Sequence, residues 1–225
     1  MRLKTLVLMV MVSMCIVATA GSVVAQVNMD KLLKPAQLNE TAPDKFQVKF
    51  DTSKGEILVE VTRSWAPIGA DHFYNLIKNG YYDNCRFFRV VENFMVQFGV
   101  NGNPKINAVL GSAQIADDPV KQSNARGYIT YAKTSAPNSR STQLFINTRS
   151  GGNGFLDKDG FAPFGKVKKG MDVVDSIYKG YGDAPPNGTG PDQTRIKNEG
   201  NAYLEKSFPN LDYIKSATIV PGEQK

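Results

Sequence analysis

From residue 45 onward the chain is cut into short β-prone runs by turn residues, and few folds accept that rhythm. The runs "KFQVKF" (45–50) and "GEILVEV" (55–61) alternate polar and apolar residues around "DTSKG", which predicts a β-hairpin. Further strands are predicted at about 86–91, 94–100, 127–132, 142–147 and 162–167, with "LDYIKSATIV" (211–220) closing the series. Helical periodicity is scarcer. In "APIGADHFYNLIKNG" (66–80) Ala70, Phe73, Leu76 and Ile77 form a stripe. Pro67 suits its first turn and Gly80 its stop. "GMDVVDSIYKG" (170–180) predicts a second short helix between glycines. Seven or more strands with two or three helices fit a barrel or sandwich, not alternating βαβ units.

Three segments stand apart from this pattern. Arg2 and Lys4 precede the apolar run "TLVLMVMVSMCIVATA", and "VVA" at 23–25 has small residues at the right spacing. Residues 1–25 therefore read as a secretory signal peptide cleaved after Ala25. An uncleaved membrane anchor is the alternative, but the run falls short of the roughly 20 residues a bilayer span needs. A lipoprotein site at Cys15 is disfavoured by the bulky Met14 before it. Residues 26–45 are polar, contain Pro35 and Pro43, and read as an arm or linker ahead of a domain at 46–221. Within that domain "GYGDAPPNGTGP" (180–191) must be loop. "DQTRIKNEGNAYLEKSF" (192–208) is helical apart from Gly200, so 181–210 forms a loop-helix insertion before the last strand.

Composition narrows the chemistry. Cleavage removes Arg2 and Lys4 and takes the net charge from +6 to +4, spread along the chain. That is no basic stripe, so nucleic acid is not an expected partner. Only Cys85 remains in the mature chain, which excludes an internal disulfide; a packed, inert thiol is expected there. His72 is the sole histidine and falls in the first predicted helix as a surface or half-buried residue. A Ser-His or Cys-His centre therefore has no base, and a metal cluster has too few ligands. "GGNGFLDKDG" (151–160) lacks the Gly-Lys-Ser/Thr of a phosphate loop. Its "DKDG" lacks the closing acid of a calcium loop and reads as a tight turn. No metal or cofactor is expected. What remains is a binding module, or an enzyme that breaks no covalent bond.

Strand parity offers a candidate site. In "FFRVVENFMVQFG" (87–99), Met95 and Gln97 point to one face; Phe94, Val96 and Phe98 take the other if the strand is regular from its start. In "STQLFIN" (141–147), Gln143 and Phe145 oppose Leu144 and Ile146. Glutamine beside Met or Phe is odd for a core and natural for a site, where the amide orients a ligand that the apolar neighbour grips.

These two stretches, with "GYITYA", "GFLDKDGFAPFGKVKKGMDVVDSI" and the helix "APIGADHFYNLIKNGYYD", resemble the cyclophilin family of peptidyl-prolyl cis-trans isomerases, in order and in register. The likeness runs from about Phe46 to Tyr178 and resumes in the last strand. It implies a mainly β fold: a closed eight-stranded antiparallel barrel capped by two helices, with a groove outside. It also implies catalytic roles for Arg89 and Gln97. Phe94, Met95, Ala132, Lys133, Gln143, Phe145, Phe155, Leu156 and Phe161 would bind substrate. The implied activity is rotation of X-Pro bonds, on proline-containing peptides and unfolded exported proteins. A proline-peptide-binding chaperone with little turnover is the alternative. The signal peptide implies export to the periplasm, or secretion, and membrane contact only if it is retained; a monomer is the family default.

Several positions depart from the family pattern. Phe88 stands where histidine is usual, and Phe155 replaces a tryptophan that helps hold cyclosporin, so weak inhibition is expected. Phe161 replaces a histidine or tyrosine, and Lys133 an asparagine or arginine whose contact is mainly backbone. Phe98 and Val100 interrupt the usual "QGGD", which predicts a reshaped groove rim.

Overall fold

The computed structural model describes residues 27–221. The expected signal peptide and its cleavage site lie outside that range. Eight strands form one antiparallel sheet: β1 (Lys45–Thr52), β2 (Gly55–Thr62), β3 (Arg89–Val91), β4 (Met95–Phe98), β5 (Tyr128–Tyr131), β6 (Leu144–Asn147), β7 (Pro163–Lys169) and β8 (Ile214–Val220). Their order is β3-β4-β6-β5-β7-β2-β1-β8. The β1–β2 hairpin has the predicted register, Thr52 facing Gly55. The Thr52 hydroxyl accepts from the Lys54 and Gly55 amides at 3.1 and 3.2 Å and secures the turn.

The sheet curls into a half-barrel, which corrects the expected closed barrel. β3 and β8 are its two ends and share no ladder. Just ahead of them, Arg86 and Tyr213 make a single antiparallel bridge, and the Phe87 amide donates to the Asp212 carbonyl at 2.9 Å. Asn84, in left-handed backbone at φ 61°, turns the chain there. β3 is only three residues long, too short to extend that bridge into a ladder.

Helices lie over the sheet. α1 (Met29–Leu32) belongs to the amino-terminal arm. That arm is docked: Leu32 lies in the main core, and the Ala42 amide donates to Asp71 at 2.8 Å. α2 (Pro67–Lys78) is the predicted amphipathic helix, burying Ala70, Phe73, Leu76 and Ile77. Its free amino end is satisfied from afar, since the Asp118 carboxylate accepts from the Ile68 and Gly69 amides at 3.0 and 2.8 Å. Gly80, at φ 71°, ends it. α3 (Pro104–Leu110) was not expected from the sequence; Asn103 caps it by accepting from the Lys105 amide at 3.0 Å. α4 (Met171–Ser176) is the short helix after Gly170. The insertion supplies α5 (Gln193–Glu199) and α6 (Asn201–Ser207), parted at Gly200 as its residue type foretold.

The main core fills the concave side of the sheet, where Phe98 meets Phe50, Tyr82 and Phe87 edge-on at 5.4–5.9 Å. Phe98 therefore belongs to the interior and does not shape the groove rim. Cys85 is fully buried and free, its thiol donating to the Tyr81 carbonyl at 3.6 Å. His72 is half-buried, with its Nε2 sealed and unpartnered. Burial, with Arg140 nearby, pulls its pKa down to about 4. A second apolar cluster joins Phe88 and Val100 to Ile196, Tyr203, Leu204 and Leu211. Two of the departures from the family pattern are thus the seat on which the insertion helices pack.

Candidate active site

Three neighbouring strands build a row on the convex face. Arg89 on β3 pairs with Gln97 on β4, and Gln97 pairs with Phe145 on β6. Side chains directly opposite on one face lie close enough to touch. The Arg89 Nη1 donates to the Gln97 side-chain oxygen at 3.0 Å, and Gln97 Nε2 donates to that of Gln143 at 2.8 Å. Gln143 is brought in by a glycine. Gly99, at φ 100°, lets the end of β4 approach Thr142 so closely that a Cβ would sit 2.4 Å from the Thr142 carbonyl.

Next to this polar row lies a separate apolar cluster of Met95, Phe145 and Leu156, flanked by half-buried Phe94, Ala132 and Phe161. Phe145 and Phe161 meet edge-on at 5.9 Å. The 3-10 turn Gly154–Asp159 holds Leu156 in place. It is braced by Asp157, whose carboxylate accepts from Ser123 Oγ at 2.6 Å and from the Asn124 amide at 3.0 Å. "DKDG" is thus the end of a structural turn closed by Gly160 in left-handed backbone. The row and the cluster line one cavity of about 440 Å³, within the usual range for ligand sites.

Ten of the eleven expected site residues line it: Arg89, Phe94, Met95, Gln97, Ala132, Lys133, Gln143, Phe145, Leu156 and Phe161. Phe155 does not. It is 51% exposed and stacks on the outer side of Phe94 at 6.2 Å, because the turn that buries Leu156 points the preceding residue outward. Phe94 also escapes the parity argument: β4 begins at Met95, and Phe94 sits in the turn before it. Lys133 contributes its side chain as well as backbone, its Nζ donating to the Asp159 carbonyl at 3.0 Å and lying 5.8 Å from the Phe161 ring.

Sequence reasoning missed the insertion's part in the site. Gln193 and Lys197 of α5 also line the cavity. Asp183, in the Gly/Pro loop, meets Arg89 in a two-pronged ion pair: Nε to Oδ1 at 2.8 Å and Nη2 to Oδ2 at 2.7 Å. These bonds hold the Asp183 carboxyl below its usual range against the pull of burial. A lone acid in a turn-rich segment 94 residues from its partner leaves no short-range signal in a sequence.

Comparisons with known proteins agree with this architecture. Residues 47–199 match the family described as cyclophilin type peptidyl-prolyl cis-trans isomerase/CLD. A peptidyl-prolyl cis-trans isomerase of Acinetobacter baylyi is 40% identical over 136 residues, covering 58% of this chain and 70% of its own. Peptidyl-prolyl cis-trans isomerase B of Escherichia coli is 32% identical over 143 residues, covering 58% and 82%. A crystal structure of a Cryptosporidium parvum cyclophilin type isomerase superposes with a TM-score of 0.56 at 19% identity, over 79% of this chain and 99% of that one. With the family matched over most of its length, the chain belongs to the cyclophilin-type peptidyl-prolyl cis-trans isomerases.

Proposed function

We propose that Arg89 is the group this isomerase uses against the substrate amide, with the Met95–Phe145–Leu156 cluster receiving the proline ring and Gln97 and Gln143 steadying the chain beside it. An X-Pro bond turns slowly because amide resonance sets a barrier of about 18–20 kcal/mol. At a quarter turn that resonance is lost and a lone pair returns to the proline nitrogen. A hydrogen-bond donor aimed there stabilises the twisted form far more than either planar one, which is the condition for catalysis. A guanidinium suits the task, since it stays charged and its donors lie in a fixed plane.

The observation that carries this reading is the shared cavity, in which a held guanidinium stands beside the apolar Met95–Phe145–Leu156 cluster. A second Cryptosporidium cyclophilin structure of the same fold (TM-score 0.56) was determined in the presence of the dipeptide Ala-Pro, which supports a proline peptide as occupant. Magnitude limits what Arg89 does alone. Isomerisation takes tens of seconds unaided, so millisecond turnover needs about 10⁴-fold, roughly 5.5 kcal/mol. A hydrogen bond to a charged group contributes about 1.5–3 kcal/mol; the pocket and the two glutamines supply the rest by holding one side of the bond still.

The deciding experiment is isomerisation of a short proline peptide. Arg89→Ala retains some activity but loses roughly 10- to 100-fold, and Arg89→Lys is also poor because a point charge cannot reproduce the planar fork. Either variant at wild-type rate removes Arg89 from the mechanism. We propose further that the leader directs export and that unfolded exported proteins are the clients, which the amino-terminal mass of the mature protein and refolding of a proline-limited exported protein test.

A further inference from the structure

We infer that Asp183 is a positioning residue for the isomerase, a carboxylate delivered by the insertion loop to fix the plane of the Arg89 guanidinium against the groove. This deepens the assignment of Arg89 and rests on it. Guanidinium has five N–H donors. Asp183 takes those on Nε and Nη2, and Gln97 takes one on Nη1. Two are left, one on each Nη nitrogen, while Arg89 still lines the cavity. The side chain is therefore gripped along one edge and free at the other, instead of being covered.

The loop is constructed around this carboxylate. Asp183 Oδ1 also accepts from the Ala184 amide at 2.7 Å, and the Asp183 carbonyl accepts from the Gly190 amide at 2.7 Å. The chain folds back so tightly that a Cβ at Gly188 would meet the Asp183 carbonyl oxygen at 2.3 Å. The preceding residue is tied to the sheet, the Val90 amide donating to the Gly182 carbonyl at 3.3 Å. Tyr181 then anchors the loop on the insertion helices through Phe208, edge-on at 5.1 Å.

The physical consequence is preorganisation. An arginine on a three-residue edge strand has four rotatable bonds to freeze each time it meets a twisted amide, and gripping it beforehand removes that cost from the reaction step. Arg89 donates on one side to Asp183 and on the other to Gln97, which donates in turn to Gln143, so the gripped guanidinium also orients both amides.

The opposite role makes the opposite prediction. A carboxylate that masks the guanidinium would inhibit, and its removal would raise the rate. The test is a double-mutant cycle on the full chain with a short proline peptide, reading kcat, KM and thermal midpoint for Asp183→Asn, Arg89→Ala and the pair. We expect Asp183→Asn to lower kcat about 10- to 100-fold with KM within about twofold, since orientation matters at the twisted state. Asp183→Glu restores part of the loss. In the Arg89→Ala background, Asp183→Asn changes nothing further. An equal or raised kcat in Asp183→Asn overturns the inference, and so does an equal loss with and without Arg89, which marks a purely structural role. Should Asp183→Asn not fold, Asp183→Ser, which keeps an acceptor for the Ala184 amide, is judged by the same criteria. Arg89→Ala at wild-type rate overturns the catalytic reading and this one with it, a result distinct from failure at Asp183 alone.

Discussion

Strands β4 and β6 carry two faces that are almost equally dry and behave differently. Inward, Val96, Phe98, Leu144 and Ile146 join the main core. Outward, Met95 and Phe145 join Leu156 in a cluster of their own. Phe98 is 1% exposed and Met95 2%, so burial does not tell a structural face from a functional one. Completeness does. On the inner face Phe98 is enclosed by aromatic partners from β1 and the segment before β3, whereas the outer cluster borders a cavity and has amides in the same row. An apolar group one neighbour short of closure is a receptor for something of that neighbour's shape.

Substitutions on the two faces sharpen that distinction. The largest effect belongs to Phe98→Ala, which should cost about 3–5 kcal/mol in chemical denaturation, while whatever remains folded turns over peptide normally. Gln97→Ala is the counterpart on the outer face. It should lower kcat/KM roughly tenfold, because it takes a hydrogen-bond partner from Arg89 and from Gln143, yet change stability by only about 1 kcal/mol. If the two variants lose stability equally, the division between the faces is broken.

Acid separates the regions in another way. The His72 pKa is lowered to about 4 in the folded protein, chiefly by burial, against about 6.5 in an unfolded chain. The unfolded state then binds more protons between these values, so stability is whole above pH 6.5 and declines as pH falls toward 4. His72→Gln should flatten that slope, by at most ~2 kcal/mol given its partial exposure. The Arg89–Asp183 pair shows no such decline over this window, because Asp183 titrates below its ordinary value. The smallest effect is expected from Phe155→Ala. Seated outside the cavity on Phe94, it should shift KM no more than about twofold; a larger change would extend the functional face beyond its present rim.

Local sequence made some of this legible. Period-two alternation separated Met95 and Gln97 from Val96 and Phe98, and Pro67 with Gly80 bounded α2. Parity failed at Phe94, which lies in a turn where alternation has no meaning. α3 was invisible because seven residues make barely two turns, too few for a helical period to show. The half-barrel was misjudged because closure depends on one bridge between segments over a hundred residues apart. Phe88 and Val100 read locally as changes near the groove, Val100 as part of a reshaped rim, whereas both seat the insertion helices. Asp183 was hidden for a related reason: an ion pair of that reach is set by tertiary contact, to which periodicity is blind.

The sealed thiol of Cys85 has a practical corollary. Burial pushes its pKa far above the ordinary value, so it offers neither thiolate nor access to an alkylating dye. A cysteine introduced just outside the groove, at Phe155 against Phe94 for example, would be the sole reactive thiol among the described residues. A fluorophore placed there could report occupancy in real time, in oxidising or reducing buffer alike, without first stripping the native sulfur from the protein.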